Sequence, residues 1–159
     1  MIKGMYEAHL PVSNLDKSIE FYKNLGLEFA WKDKDTAFFW IEKKKSWLGL
    51  WEGEEYKIPY HPSIRHIAFC IDYTNMKHAL TWLKSKNIEA IPFGERESVE
   101  PFVRPNQGNA SVYFNDIDGN SLELICFIDV PERLKGISTK LSLAEWEILL
   151  KEDGSSFIS

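Results

Sequence analysis

Two periods of apolar residues take turns along this chain, and together they lay out its elements. From Met5 to Val12 the period is two: Tyr6, Ala8, Leu10 and Val12 share one face, while Glu7 and His9 share the other. The period then lengthens to that of a helix. Leu15, Ile19, Tyr22 and Leu25 form the stripe, Ser13 or Asn14 caps it, Asp16 sits in the first turn, and Gly26 is the left-handed stop. Strands are predicted over 27–32, 37–42 and 46–52, with a charged turn at 42–46 and a polar connector over 53–62.

The same order then returns. In a strand over 64–72, Ile67, Phe69 and Ile71 take one face and His66, Ala68 and Cys70 the other. Met76, Leu80 and Leu83 repeat Leu15, Ile19 and Tyr22 at one constant offset, and Asn87-Ile88 and Glu89 repeat Gly26-Leu27 and Glu28. Strands over 90–94, 110–115 and 121–128 complete the repeat. The insert at 95–109, with Pro101, Pro105 and Gly108, is predicted as a loop long enough to serve as a lid. Asn115-Asp116-Ile117-Asp118-Gly119-Asn120 closes a hairpin. In its second strand Leu122, Leu124 and Cys126 face the core, and Ser121, Glu123, Ile125 and Phe127 face away. A last helix is predicted over 141–152, with Ser142 and Glu145 as a capping box and Gly154 as its stop.

The fold class that follows is α+β: two β-α-β-β-β modules, about 4–53 and 63–128, forming a curved mixed sheet around a metal or ligand cavity, plus a C-terminal helix. One domain is expected over 1–130 and an extension with the helix over 131–159. With 159 residues the chain is long enough for a sizeable core. A net charge of −5 and the lack of a basic arm argue against a nucleic-acid partner. No apolar run approaches the roughly 20 residues of a membrane span, and Met1-Ile2-Lys3-Gly4 leads straight into a strand, so neither membrane nor leader is expected. Cys70 and Cys126 both sit in apolar strand patterns and read as reduced, buried thiols of a cytoplasmic protein.

Candidate chemistry lies on the faces turned away from the core. Glu7 and His9, then His66, then Glu123 break otherwise apolar strands, and an unpartnered mid-strand carboxylate is costly to bury. Two curved modules bring those faces into one cup. Histidine and carboxylates without thiolates suit Mn, Fe, Ni, Co or Zn. The bland alternatives are a Glu123 paired with Arg65 or Arg133, a His9 hydrogen-bonded across strands, and a sheet merely packed by Trp40, Trp47 and Trp51, which otherwise line a cavity. His61 and His78 carry little weight as a connector residue and an exposed helix residue.

Three stretches resemble the vicinal oxygen chelate superfamily of glyoxalase I, fosfomycin-resistance thiol transferases, bleomycin-binding proteins and extradiol dioxygenases. They are VSNLDKSIEFY from Val12, RHIAF from Arg65 and DIDGNSLE from Asp116, and the resemblance spans about residues 4–128. It implies that His66 and Glu123 are metal ligands. The first-strand ligand position aligns with Glu7, while imidazole chemistry favours His9, and the one that is not a ligand becomes the general base. The fourth glyoxalase ligand falls near Gly49, which offers none. Resemblance to the fosfomycin-resistance enzymes further implies Tyr113 as a catalytic residue and Ser111 and Arg133 as substrate-binding residues, with Arg96 and Arg104 as candidate cations in the insert. Trp51 is a candidate substrate contact.

The function implied is a divalent-metal-dependent enzyme on a small-molecule substrate, with isomerase, lyase or thiol-transferase chemistry and, for the last, a thiol co-substrate. The alternatives are a metal-free drug-binding protein and an Fe(II) extradiol-type dioxygenase. A homodimer is expected, because the connector lets the modules exchange partners and the stripe Leu143, Trp146, Leu149 and Leu150 is free to pack on a neighbouring chain or cover a sheet edge.

Overall fold

The structure is a computed structural model and describes residues 4–59, 64–94 and 96–154. His61 and Glu95 lie outside the described residues. The architecture is α+β, with two open sheets.

The first sheet has the order β1-β4-β3-β2, from β1 (Glu7–Val12), β2 (Glu28–Lys32), β3 (Thr36–Glu42) and β4 (Ser46–Glu52). β1 runs parallel to β4, and the other neighbours are antiparallel. Helix α1 (Leu15–Leu25) buries Leu15, Ile19, Tyr22 and Leu25, the stripe set by the helical period. Asn14 is its cap, accepting from the Lys17 amide, and Gly26 ends it at φ 103°, a conformation that glycine adopts without a Cβ penalty. The second sheet has the order β10-β7-β8-β9-β5, with β6 on β8. Its strands are β5 (His66–Cys70), β6 (Ala90–Ile91), β7 (Phe102–Arg104), β8 (Asn109–Asn115), β9 (Ser121–Phe127) and β10 (Leu141–Ser142).

The chain forms two compact units. One contains the described residues up to Ile67 together with Asn115–Ser121; the other contains Ala68–Phe114 and the described residues from Leu122 onward. The hairpin turn 115–121 thus belongs with the first unit, although the strands on either side belong almost wholly to the second.

Four expectations need correction. The insert is not simply a loop: β7 lies within it, paired with β8 and β10, and buries Phe102 and Val103. Two apolar residues between Pro101 and Pro105 are too few to show a period. The second module's helix is split into α2 (Tyr73–Met76) and α3 (Ala79–Ser85). Thr74 and Asn75 are weak helix formers and Asp72 makes no side-chain cap bond, yet Met76, Ala79 and Leu83 stay buried. Cys70 is exposed, and only Cys126 is buried; burial pushes the Cys126 thiol up to about 11. Residues 141–142 form β10, so the last helix, α4, covers Leu143–Glu152. Its Ser142–Glu145 capping box is present, and Trp146 and Leu150 are buried within the second unit.

Candidate functional site

In the first unit, the parallel register of β1 on β4 sets His9 beside Gly49 and Glu7 beside Trp47. The Trp51 indole donates to His9 Nδ1 at 2.5 Å, and His9 Nε2 lies 3.2 Å from Glu7 Oε1. The Trp47 indole donates to Glu7 Oε2 at 2.7 Å. Because Nδ1 is an acceptor, the neutral ring carries its proton on Nε2 and donates it to Glu7. Trp47's hydrogen bond, then that of His9, holds the Glu7 carboxyl below the usual carboxylate range. Position 49 has no room for a side chain. A Cβ there would lie 2.5 Å from His9 Nδ1 and 2.8 Å from Cε1. His9 therefore occupies the space into which a ligand at 49 would project.

Gly49→Ala is accordingly expected to swing the His9 ring out of its bond with Trp51, at a cost of about 1 kcal/mol. Nitrogen chemical shifts of His9 measure it: unchanged Nδ1 and Nε2 signals would refute the close approach.

Aromatic side chains surround this pair. Trp31 stacks on Phe38 at 4.6 Å and Trp40 on Trp47 at 4.9 Å. Trp31, Phe38 and the half-exposed Trp51 line an open cavity of about 360 Å³ whose rim carries Asp33 and Asp35. Also in this unit, His66 Nδ1 lies 3.2 Å from Ser121 Oγ, and the Ser121 amide donates to Arg65 O. A hydroxyl that orients one imidazole nitrogen is a common support for ligation through the other.

The second unit carries the buried charge. Glu123 is 3% exposed. Its partner is neither Arg65 nor Arg133 but Arg104, whose Nη2 donates to Glu123 Oε1 at 2.8 Å. The same guanidinium donates to Ser111 Oγ at 2.5 Å, to the Tyr113 hydroxyl at 3.3 Å and to Asn109 Oδ1 at 2.8 Å. Tyr113 stacks on Phe93 at 4.3 Å and hydrogen-bonds to the Glu123 carboxylate. Burial pushes its phenol up to about 12, so near neutral pH it is a hydrogen-bonding group and not a base. Phe93 and Phe102 stack at 5.8 Å, and three cations gather on them. Arg104 Cζ is 5.3 Å and Arg96 Cζ 5.0 Å from the Phe102 centroid, and Lys140 Nζ is 4.7 Å from that of Phe93.

The structure thus brings Ser111, Tyr113 and Glu123 together around Arg104, and Glu7, His9 and Trp51 together around Gly49. It does not bring Arg133 into either group, because that side chain pairs with Asp153 beyond the end of α4. Among the described residues, no three His, Cys, Asp or Glu side chains converge as metal ligands do. Arg104 was legible only as one of two loose cations in an insert. Nothing in Val103-Arg104-Pro105 reveals that β7 lies against β8.

The family model of the Glyoxalase/Bleomycin resistance protein/Dioxygenase superfamily matches residues 5–124. The chain belongs to this superfamily. Among its vicinal oxygen chelate relatives, metallothiol transferase FosB of Staphylococcus haemolyticus is 34% identical over 128 residues, covering 78% of this chain and 84% of that protein. FosB of Shouchella clausii is 31% identical over 126 residues, covering 78% and 80%. The fold matches an integron cassette protein from the Halifax Harbour sewage outfall, with a TM-score of 0.60, 26% identity and coverage of 79% and 100%. It also matches the fosfomycin resistance protein FosX of Listeria monocytogenes, solved with Mn(II) and sulfate, with a TM-score of 0.59, 24% identity and coverage of 85% and 96%.

Proposed function

We propose that this vicinal oxygen chelate protein is a divalent-metal-dependent thiol transferase whose substrate is a small electrophile, such as an epoxide, bearing an oxyanion. The observation that carries the reading is the Arg104–Ser111–Tyr113 group beside the buried Glu123: a forked cation with two hydroxyls suits a phosphonate or phosphate, and the carboxylate suits a metal. The metallothiol transferase relatives support the thiol and the metal.

The residues fit Mn, Fe, Ni, Co or Zn by donor type. His66 and Glu123 are the proposed ligands, completed by Glu7 or His9. A bound metal would act as a Lewis acid on the substrate's reacting oxygen. In the reaction a carbon–sulfur bond forms as the carbon–oxygen bond of the epoxide breaks, and the oxygen takes a proton. Glu7, weakened as a base by its two hydrogen bonds, is better suited to ligation, which leaves the thiol's proton to His9 Nδ1 once that nitrogen gives up its hydrogen bond from Trp51. Arg104 balances the oxyanion's charge, and Tyr113 and Ser111 orient it. The same reading includes a homodimer. No helix among the described residues is long and apolar enough to cross a membrane.

Calorimetry with MnCl2 and NiCl2 tests this reading. Wild-type protein is expected to take up one ion per site, and His66→Ala or Glu123→Ala to lose it while remaining folded by circular dichroism. A small thiol and an epoxyphosphonate should then give a thioether only with the metal-loaded wild type. Wild-type protein that takes up neither metal would sink the proposal. The cavity of Trp31, Phe38 and Trp51 favours a second reading, a metal-free binder of planar aromatic molecules. Tryptophan quenching by such a molecule in excess chelator, with no metal uptake, would support that reading instead.

A further inference from the structure

One face of the first sheet gathers aromatic rings, and the strand register explains why. Trp40 pairs with Trp47, Phe38 with Gly49, Thr36 with Trp51, and Trp31 of β2 with Phe38. Paired positions share a face, so these side chains lie on one side of the sheet. Trp31 stacks on Phe38 with 15° between the ring planes, yet 41% of it stays exposed. Trp51 is 52% exposed. Two half-open indoles on one cavity of about 360 Å³ form the kind of patch that a ligand covers.

The turn between β2 and β3 gives that cavity a charge. Asp33, Lys34 and Asp35 line it together with Thr36 and the three rings. The turn is fixed by the Asp33 amide, which donates to Thr36 O, and by the Glu52 amide, which donates to Asp35 O. Asp33 Oδ1 accepts from the Lys34 amide at 2.7 Å, and Asp35 Oδ2 lies 4.0 Å from Lys34 Nζ. Two carboxylates thus face the cavity against one loosely paired ammonium. A third carboxylate acts from behind Trp51, whose indole donates to His9, which in turn donates to Glu7. An indole that donates along a chain ending in an anion is polarised so that its ring face is more negative, and the ring face is where a cation binds.

We propose that the cavity of Trp31, Phe38 and Trp51 is a binding site for a small N-alkylated aromatic cation of the quinolinium or pyridinium type. Its ring lies against the indoles and its charge is turned toward Asp33 and Asp35. An alkylated ring nitrogen has no hydrogen to donate, so ring faces and carboxylate charge recognise it, not a cradle of acceptors. An anion would meet Asp33 and Asp35, and a neutral ring would forgo the attraction of both the carboxylates and the indole faces. The inference rests on the cavity that the second reading above uses, and it adds the charge that the ligand must carry. It needs no metal.

Titration calorimetry with N-methylquinolinium, and with neutral quinoline above neutral pH, tests the site in excess chelator. Wild type is expected to bind the cation about tenfold more tightly than quinoline. The double variant Asp33→Asn with Asp35→Asn should lose most of that preference and still bind quinoline as wild type does. Lys34→Gln removes the opposing charge and should tighten the cation about two- to threefold. Trp31→Leu should weaken both ligands about fivefold or more, and the cation should shift the indole N–H resonances of Trp31 and Trp51 in wild type. Thermal melts confirm folding; if Trp31→Leu is not folded, the exposed turn variants carry the comparison. Equal affinity for cation and quinoline overturns the inference and leaves the second reading standing. Cation binding that is the same in wild type and all the folded variants overturns the site. Binding of neither ligand overturns both the inference and the second reading. None of these outcomes depends on Mn(II) uptake, which tests the metal reading separately.

Discussion

Asp116→Ala is expected to destabilise the fold by roughly 3–4 kcal/mol, because several groups lose a partner at once and each unsatisfied buried one costs about 1–3 kcal/mol. Asp116 is buried in the hairpin turn. Its Oδ2 accepts from the Tyr22 hydroxyl at 2.9 Å and from Asn120 Nδ2 at 2.7 Å, and its Oδ1 accepts from the amides of Asp118 and Asn120, both at 2.9 Å. Asn120 Nδ2 also donates to Pro11 O, so the turn is tied to both α1 and β1. The turn leads into Ser121, the partner of His66, and two residues later into Glu123, which makes its geometry a precondition for both candidate ligands. Urea unfolding measures the loss; a change under 1 kcal/mol would show that these bonds carry little.

A pH signature accompanies it. Burial raises the Asp116 carboxyl above its ordinary value of 3.8, with the hydrogen bonds from Asn120 and Tyr22 pulling the other way. A raised carboxyl binds its proton more tightly in the folded state. Its contribution to stability is therefore complete below that ordinary value and lost as pH rises through the folded one. Asp116→Asn cannot titrate, so the stability of wild type relative to Asp116→Asn should decline across that window. A difference independent of pH would contradict the raised value.

Trp146→Ala is expected to cost about 3–5 kcal/mol, the range for deleting a large buried aromatic. Trp146 is 0% exposed, the largest fully buried side chain, and α4 that carries it packs against β10 and β7. Its indole Nε1 is buried with no hydrogen-bond partner among the described residues. Trp146→Phe removes that unpaired donor along with some volume, and is expected to cost clearly less than Trp146→Ala. Since α4 lies against the strand that carries Arg104, the alanine variant should also loosen the Arg104–Glu123 pair. Thermal melts of the two variants decide the point: equal losses would mean that the cavity is not the cause.

The elements were largely legible because they depend on local spacing. The stripe of α1, its Asn14 cap and its Gly26 stop all follow from residues within one helical turn of each other. The capping box of α4 is equally local. Even the module repeat shows in the backbone: Asn87, the counterpart of Gly26, adopts a φ of 57°. The misses came where a local signal was short or overridden, as at β7 and in the split second helix.

The sequence by itself determined the elements of the first module, the strands that carry Glu7, His9, His66 and Glu123, and membership of the superfamily. Those properties are written in periodicity and in compact motifs. Only the tertiary structure decided what those side chains touch. It chose Arg104 over Arg65 and Arg133 for Glu123, set His9 into the space left by Gly49, and engaged Arg133 with Asp153. Pairings of this kind depend on which strands become neighbours, as β7 with β8 and β1 with β4. A buried charge takes the partner that packing brings within hydrogen-bond reach, and no spacing along the chain encodes that distance.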